Sequence, residues 1–580
     1  MGKLSTLEGQ WSTTRIVVVS LGILLPQAAL AQSAGQVDRE AQRILEQQQQ
    51  QARDRAEQFE QSRSRPPTGD TIESQTAPVA DGGACVAVRE VRLAGASHYR
   101  ASTFEGVLAT LRGDCVTIGA IDGVLRAITD RYVHDGFVTS RAVVGPQDLK
   151  SGILTITVIE GRLGGLKDKG SGKHYGRGEI GAAFPARPGD RLNLRALEQG
   201  VDQLGRMAKG DPKIDIAPGD TPGTSVVLLT RQPLSRWIRP SVSINNEGAA
   251  STGRWQATKS LDMDSLLGIA DSWSLYHQSV ASDDGERRNL AYGGFVSLPH
   301  GWWTLSLSSG FSNYRSVLSG NGLRFATRGR TYTGSATLER MVFRDAKTKL
   351  SLTGGLALLD TRNFVQGIAL QSSSYRIVTG TLGARWQRRL AKTQLSVSGG
   401  YDQGLGLLDA HTVDTGPGGA TGRYHRVTLD AAAQTPLAIG PSRLTNTLVL
   451  RGQWGFDNLF PANRFSLGGS STVRGFRDDG ISGRTGASLR EQLGFGIVDV
   501  LKAQPHLATS LSGYLAYDVG GIRPVAGDPF ERGLLQSMSA GLMARSRHVQ
   551  AEVTVAVPVT APAWVRHPKA LFSSSIRILL

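Results

Sequence analysis

From about residue 236 to residue 580 the sequence repeats one pattern, in which apolar residues alternate with polar or small ones. The alternation is clearest at residues 303–312, 448–456, 548–557 and 572–580. A period of two is the side-chain period of a β-strand, so each segment of about ten residues predicts a strand with one apolar face. At roughly 20–22 residues for each strand and its connection, this region predicts about 16 antiparallel strands.

So many strands with one apolar face favour a closed membrane β-barrel over a soluble β-sandwich. In lipid, only a closed barrel gives every backbone group of a sheet a hydrogen-bonding partner. Trp302, Trp303, Trp454 and Trp564 lie near the predicted strand ends, where aromatic residues of membrane barrels meet the interface. A soluble sandwich remains the alternative on the pattern alone.

The composition is consistent with a barrel and excludes a helical membrane protein. Apolar residues make up 40% of the chain, 71 residues are Gly, and the mean hydropathy is −0.17. The most apolar run, residues 16–25, is about half the length that a spanning helix needs. The net charge of +16 comes from Lys and Arg spread along the chain without a basic stripe or a zinc motif, so no nucleic-acid partner is expected.

The N-terminus has the organisation of an export signal. Residues 1–31 combine a polar leader, the apolar run and an Ala-x-Ala site before Gln32, which predicts a signal peptide cleaved after Ala31. An exported chain meets an oxidising compartment, so Cys85 and Cys115 are expected to form a structural disulfide. Redox catalysis is the alternative for this pair, although the chain lacks a Cys-x-x-Cys motif.

Two segments follow the signal before the first regular domain. Residues 36–63 contain no Gly or Pro and are rich in Gln, Glu, Arg and Ala, which predicts a helix with a thin apolar stripe. The pattern fits a solvated linker and a docking helix equally well. Residues 64–83 are rich in Pro and Gly and predict a flexible linker.

Two small α+β units precede the barrel. Residues 84–161 predict strands around Val86–Val91, 138–144 and 153–159, with helices at 104–111 and 118–132. Residues 162–235 show the same style, with a helix at 194–207 and a strand at 224–229. The chain therefore predicts an internal repeat of two units of about 75 residues.

No catalytic, cofactor or metal motif is present, so an enzyme is not predicted. One segment, residues 466–480, departs from strand alternation because it is rich in Gly and places Arg474 among small residues. About forty residues later, the alternation of a predicted strand directs Asp518 into the lumen. Arg474 and Asp518 could form a two-point ion pair if the loop folds inward. The alternative is an Arg on a loop exposed to water.

These segments together resemble the outer-membrane transporters of the two-partner secretion pathway, a branch of the Omp85 superfamily. Val473, Arg474, Gly475 and Phe476 resemble the signature of that superfamily's inward-folded sixth loop. Residues 132–142 with 158–161 and residues 192–204 resemble the first and second POTRA domains, and residues 245–248 resemble the start of the barrel.

The resemblance implies a domain order and a site. The expected segments are a signal peptide (1–31), a plug helix (32–63), a linker (64–83), POTRA 1 (84–161), POTRA 2 (162–235) and a transmembrane barrel (236–580). Asp518 corresponds to the barrel-wall carboxylate that contacts Arg474.

The resemblance also implies a function. The chain would be a monomeric pore in the outer membrane of a Gram-negative cell, with periplasmic POTRA domains and without a cofactor. It would export one large partner exoprotein, an adhesin, haemolysin or contact-dependent toxin, whose N-terminal secretion domain binds the POTRA domains. The competing classes are a passive porin and a barrel-assembly factor.

Overall fold

The computed structural model describes residues 55, 85–169, 178–207, 212–230, 237–281, 285–320, 323–411, 419–439, 442–498, 510–528 and 530–580. The predicted signal peptide (1–31), plug helix (32–63) and linker (64–83) lie outside the described residues, with the exception of Arg55, which is helical. Within these described ranges, no helix has the length and hydropathy needed to cross a membrane.

The first α+β domain packs its helices against a three-stranded sheet. Its elements are β1 (Cys85–Val88), β2 (Glu90–Ala94), α1 (Glu105–Ala109), β3 (Gly113–Thr117), α2 (Ile118–His134), β4 (Arg141–Val143) and β5 (Ile153–Ile159). The sheet order is β2–β5–β4, and β1 pairs separately with β3. Thr117 caps α2 by accepting a hydrogen bond from the amide of Ala120. Alternate residues of β5 are buried in one core with α2, which fixes the helix on the sheet.

The second α+β domain has the same design with fewer elements. It consists of β6 (Arg162–Asp168), α3 (Glu179–Ala183), α4 (Leu194–Gly205), β7 (Lys213–Pro218) and β8 (Thr224–Thr230). The sheet order is β6–β8–β7, with β6 and β8 parallel. Asn193 caps α4 by accepting a hydrogen bond from the amide of Arg195. The two helices pack on the sheet through one core that includes Phe184, Leu197 and Leu229.

The rest of the chain forms a closed antiparallel barrel with a small hairpin inserted in one loop. The strands before that loop are β9 (Ile238–Asn245), β10 (Gln256–Asp264), β11 (Ser272–Val280), β12 (Arg288–His300), β13 (Trp303–Gly320), β14 (Leu323–Arg344), β15 (Thr348–Val365), β16 (Ile368–Leu390), β17 (Thr393–Leu405), β18 (His425–Ile439) and β19 (Ser442–Gly455). The hairpin is β20 (Phe465–Leu467) and β21 (Ile481–Gly483). The remaining wall strands are β22 (Gly486–Val498), β23 (Ser510–Ile522), β24 (Gly533–Arg545), β25 (Val549–Thr560) and β26 (Leu571–Leu579). β26 pairs with β9 and closes a wall of 16 strands.

Period-two alternation places apolar side chains on the outside of the wall. Leu356, Leu382, Leu515 and Met538 are all more than half exposed, although each lies in the middle of a well-paired strand. Exposure of this kind on every side of a barrel is the property of a surface that lipid covers. The prediction of a membrane barrel with about 16 strands is confirmed.

Three details of the sequence prediction are wrong. Strands β14 and β16 have 22 and 23 residues rather than about ten, because backbone pairing continues past the bilayer, where no apolar face is needed. The single strand expected around Val86–Val91 is two strands, since the amides of Arg89 and Glu90 both donate to the carbonyl of Gly152 and interrupt the run. The short elements β3, α3 and β7 were not predicted, because each has six residues or fewer and no clear period.

Candidate functional site

The loop between β19 and β22 folds back against the inside of the barrel wall. Its hairpin, β20 with β21, positions the intervening residues, and Leu467, Val473 and Phe476 are buried with Ile522 of β23. The burial of apolar residues within the loop stabilises the inward position, since it removes their surface from water. We call residues 456–485 the inward loop.

Arg474 connects the tip of the inward loop to the barrel wall. Its Nε donates to Oδ2 of Asp518 at 2.8 Å, and its Nη2 donates to Oδ1 at 2.9 Å. The backbone amide of Arg474 donates a third hydrogen bond to Oδ2 at 3.0 Å. Asp518 is fully buried, and the Arg474 guanidinium also lies over the ring of Tyr514 at 5.3 Å from the centroid. The pair is therefore the two-point geometry that fixes both the position and the orientation of an Arg.

The neighbours of Arg474 in the motif each have a packing reason. Val473 and Phe476 are 0% and 1% exposed, and the ring of Phe476 meets His567 edge-on with centroids 5.7 Å apart. Gly475 has a φ of +94°, and a Cβ at this position would lie 3.2 Å from Pro558 of β25. Only Gly allows this backbone conformation without strain so close to the wall.

Arg490 is a site residue that the sequence prediction missed. Its Nε donates to Oδ1 of Asp518 at 2.9 Å, and its Nη2 donates to the carbonyl oxygens of Ser470 and Thr472 at 2.7 and 3.1 Å. It therefore holds the backbone of the inward loop and the wall carboxylate at once. The alternation of β22 identifies Arg490 as lumenal, because Leu489 and Leu493 face outward on either side of it, but not which groups it contacts.

A second cluster of charges joins the second α+β domain to the rim of the barrel. Arg344, at the end of β14, donates to Asp202 of α4 at 2.5 Å and to Glu198 at 3.2 Å. Lys349, at the start of β15, also donates to Asp202 at 2.5 Å. The side chains of Arg344 and Lys349 are 4% and 5% exposed, so these ion pairs are buried in an interface between the domain and the barrel.

Gln203 adds neutral hydrogen bonds to the same interface. Its Nε2 donates to the carbonyl oxygen of Gly301 at 3.1 Å and to the hydroxyl of Thr304 at 3.0 Å. The amide of Gly301 in turn donates to the carbonyl of Ala182 in α3 at 2.7 Å. The turn between β12 and β13 is thus paired with both helices of the domain, which fixes the domain on the rim.

Glu160 lies at the junction of the two α+β domains. Its carboxylate accepts hydrogen bonds from Ser97 (2.6 Å), the amide of His98 (2.7 Å) and Tyr132 (2.9 Å) in the first domain, and from Arg191 (2.9 Å) in the second. Burial of the carboxylate opposes ionisation, but these four donors outweigh it and lower the pKa of Glu160 to about 2. One ionised carboxylate therefore contacts both domains, beside the hydrogen bonds that the Leu194 amide and the Asn193 side chain donate to the carbonyls of Gly136 and Asp135.

The predicted disulfide lies in the first α+β domain. Cys85 and Cys115 form a disulfide between β1 and β3 of the first domain, with their Cα atoms 5.0 Å apart.

Arg55 is the described residue of the predicted plug helix. Its guanidinium donates to Gln278 of β11 at 2.6 Å and lies 4.7 Å from the ring centroid of Tyr276. Tyr276 and Gln278 lie at alternate positions of β11 that face the lumen, whereas Leu275, which precedes Tyr276, faces outward.

Comparison with known proteins agrees with this architecture. Residues 223–544 match the family described as haemolysin secretion/activation protein ShlB/FhaC/HecB. The chain belongs to this family. Residues 86–161 match the ShlB-type POTRA domain, and residues 165–218 match a second POTRA domain. The two α+β domains are therefore POTRA 1 and POTRA 2.

Individual relatives span most of the chain. The outer membrane transporter CdiB of Escherichia coli is 32% identical over 488 residues, covering 83% of this chain and 80% of the relative. The haemolysin transporter protein ShlB of Serratia marcescens is 29% identical over 420 residues, covering 72% of each chain. The solved structure of CdiB from Escherichia coli superposes with a TM-score of 0.83 at 29% identity, covering 94% of this chain and 98% of that one.

The family places the molecule in the cell. The chain is an outer-membrane transporter, with its barrel in the outer membrane and its POTRA domains in the periplasm. The ends of β14 and β26 and the POTRA domains mark the periplasmic side of the barrel, and the inward loop starts from the extracellular side.

Proposed function

We propose that this transporter secretes one large partner exoprotein, an adhesin, haemolysin or contact-dependent toxin, from the periplasm to the cell surface. The observation that carries the proposal is the combination of two POTRA domains fixed to the rim of a 16-stranded barrel with an inward loop tied to its wall by Arg474 and Asp518. Relatives of similar sequence are named outer membrane transporter and haemolysin transporter protein. We expect the transporter to act as a monomer and without catalysis.

The POTRA domains recognise the N-terminal secretion domain of the partner. In POTRA 2 the sheet order β6–β8–β7 leaves β7 at an edge, and in POTRA 1 the order β2–β5–β4 leaves β2 and β4 at the edges. An extended segment of the partner can add to such an edge through main-chain hydrogen bonds. The ion pairs of Arg344 and Lys349 support this role, because they hold the recognition domain at the mouth of the pore.

The inward loop and the plug helix shape and obstruct the lumen at rest. The contacts of Arg474 with Asp518 support a fixed loop position, and the contacts of Arg55 with Gln278 and Tyr276 support a plug inside the barrel. A polar helix with a thin apolar stripe suits a water-filled pore. The Pro- and Gly-rich residues 64–83 give the plug helix room to leave the lumen when the partner arrives.

The decisive experiment separates secretion from passive diffusion. A variant without residues 84–233 should still form a barrel if the chain is a porin, and solute flux through the outer membrane would then persist. In a secretion transporter the same deletion abolishes export of the partner, which is measured as exoprotein in the culture medium. Export that persists at the wild-type level would contradict the proposal.

A barrel-assembly factor is distinguished by a second measurement. Loss of an assembly factor lowers the level of many outer-membrane proteins, whereas loss of a dedicated transporter changes the location of one exoprotein. We expect the outer-membrane protein profile of a deletion strain to match that of the parent strain.

A further inference from the structure

At the extracellular end of the wall, two exposed Trp side chains each lie against an Arg. Trp454, near the end of β19, is 47% exposed and faces outward like Leu448 on the same strand. The guanidinium of Arg523, just after β23, lies 4.8 Å from the ring centroid of Trp454. The guanidinium of Arg532, just before β24, lies 5.3 Å from the ring centroid of Trp564. Both distances are those of a cation held over an aromatic face.

Arg523 and Arg532 flank the same strand pair. The last register pair of β23 with β24 joins Ile522 and Gly533, so each Arg lies one residue beyond it. Both Arg residues are exposed, and Arg532 faces outward like Leu534, two residues later. Like charges on neighbouring strands repel each other and destabilise the pairing of the strands. An anion bound to both guanidinium groups would remove this repulsion.

The carboxylates of the connection between β23 and β24 do not neutralise the two Arg residues. Glu531 is 3% exposed and accepts a hydrogen bond from the amide of Arg484 at 2.7 Å. The Oδ1 of Asp528 accepts from the amides of Phe530 and Glu531 at 2.9 and 3.1 Å. In the part of the chain that the structure describes, neither Arg523 nor Arg532 has a carboxylate partner. Their charge is therefore available to an external anion.

The two Arg residues lie at the level where acyl chains meet head groups. On the membrane side of them, β23 and β24 present the outward-facing side chains of Leu515, Leu534 and Met538, all more than 40% exposed. Trp residues of membrane barrels lie at the interface, and Arg side chains extend towards the head groups. The outer leaflet of this membrane consists mainly of lipopolysaccharide, a glycolipid with phosphate groups on the sugars above its acyl chains. The planar fork of a guanidinium fits a phosphate group.

We propose that Trp454, Arg523, Arg532 and Trp564 form a glycolipid site, at which the two Arg residues bind a phosphate group of lipopolysaccharide. The Trp rings hold the guanidinium groups at the edge of the bilayer, and the apolar wall below them contacts the acyl chains. The bound phosphate offsets the repulsion between Arg523 and Arg532 and fixes the level of β23 and β24 in the membrane. The site lies outside the pore and does not depend on the identity of a secreted partner.

Native mass spectrometry of the full-length transporter in detergent, titrated with lipid A that carries two phosphate groups, tests the glycolipid site. Arg523→Ala combined with Arg532→Ala should weaken binding of this lipid on the order of tenfold, since the variant loses both cations. Binding of lipid A without phosphate groups should stay unchanged. Arg340→Ala is the matched control, because Arg340 lies 4.9 Å from the ring centroid of the exposed Trp303 at the periplasmic end of the wall. This control should bind phosphorylated lipid A as the wild type does.

Several results would overturn the proposal. One is wild-type affinity of the double variant for phosphorylated lipid A, and another is an equal loss of affinity for the lipid without phosphate groups. Displacement of the lipid by excess inorganic phosphate would assign the site to free phosphate, and equally tight binding of phosphatidylglycerol would remove the assignment to a glycolipid.

Assembly of each variant is checked by the heat-dependent shift of the folded barrel on SDS gels. If the double variant does not assemble, Arg523→Lys combined with Arg532→Lys is measured instead. This variant keeps both charges but loses the planar fork, so weaker binding confined to the phosphorylated lipid is expected. Wild-type affinity in this variant would likewise contradict binding of the phosphate by the two guanidinium groups.

Discussion

Arg474 and Asp518 lie 44 positions apart in the sequence and are joined by two parallel hydrogen bonds between a guanidinium and a carboxylate. The amide of Arg474 donates to the same carboxylate, so the backbone of the inward loop and its side chain are held by one wall residue. Arg490 completes the carboxylate's set of donors from the next strand. One buried Asp therefore holds the tip of the inward loop, in addition to the burial of the apolar loop residues against the wall.

Arg474→Ala is expected to reduce export of the partner at least tenfold while leaving barrel assembly largely intact. Removal of one partner of a buried ion pair costs about 3–5 kcal/mol, because Asp518 loses its main donor. The wall itself keeps its 16-stranded pairing. The measurement is exoprotein in the medium, normalised to the folded transporter in the outer membrane.

Arg474→Lys gives a graded version of the same test. An ammonium group keeps the charge but does not reproduce the two-point bond, so export should fall between that of wild type and Arg474→Ala. Arg376→Ala, which breaks an ion pair outside the inward loop, serves as the control with normal export. Unimpaired export by Arg474→Ala would remove the proposed role of the loop.

The ion pairs of Asp202 with Arg344 and Lys349 predict that a second charge reversal restores export that the first one abolishes. Asp202→Arg places like charges beside Arg344 and Lys349 in a buried interface, and should therefore detach POTRA 2 from the barrel and abolish export. Adding Arg344→Asp restores opposite charges and should recover part of the export. Detachment is measured as faster hydrogen exchange at the amide of Gly301, which donates to Ala182 in the docked state.

Asp220→Arg is the matched control for this prediction. Asp220 lies in the turn between β7 and β8 of the same domain and pairs with Lys167 at 3.6 Å, but its side chain is 90% exposed. Exposed pairs contribute about 0–1 kcal/mol, so this reversal should leave docking and export close to wild type. Equal loss of export in Asp202→Arg and Asp220→Arg would show that the domain tolerates no charge reversal and would remove the argument for a specific rim contact.

The sequence predicts the parts of this molecule that depend on local periodicity. The lumenal direction of Asp518 follows from the alternation of β23, and the unusual character of residues 466–480 follows from the loss of that alternation. Periodicity specifies the face of a strand but not the path of a loop. It leaves open whether Arg474 turns inward, since that depends on the burial of Leu467, Val473 and Phe476 against distant strands.

Contacts between separate elements were not predicted for a related reason. Arg490, Arg344 and Arg523 are ordinary Arg residues in the sequence, and each obtains its role from a group far away in the chain. Asn246 lies in a motif that family resemblance identifies, but its bonds to β26 depend on the closure of the whole barrel. The register between β26 and β9 depends on the pairing of all 16 strands, so no short segment of the sequence determines it.

The plug helix predicts an effect on conductance. Deleting residues 36–63 should raise the single-channel conductance in planar bilayers, because the proposed plug would then be absent. Arg55→Ala removes the contacts with Gln278 and Tyr276 and should increase the frequency of open events without changing their maximum size. An unchanged single-channel conductance after the deletion would argue against a plug inside the barrel.

The junction at Glu160 predicts a pH dependence of the arrangement of POTRA 1 and POTRA 2. The pKa of Glu160 is lowered from 4.5 to about 2, so its ionised form stabilises the junction above about pH 4.5. This contribution is lost as the pH falls from 4.5 through about 2, because protonation removes the negative charge that pairs with Arg191 of POTRA 2.

Pulsed electron–electron double resonance on the full-length transporter measures this effect. Spin labels on Ala109→Cys and Pro222→Cys report the distance between the two domains, and the native cysteines do not take a label because they are bonded to each other. The distribution of distances between the two labels should be narrow at pH 7 and should broaden between about pH 4.5 and pH 2. Glu160→Gln should be broad already at pH 7, since a neutral amide is a weaker acceptor for Arg191. A distribution that is equally narrow in Glu160→Gln at pH 7 would show that the ionised carboxylate does not hold the junction.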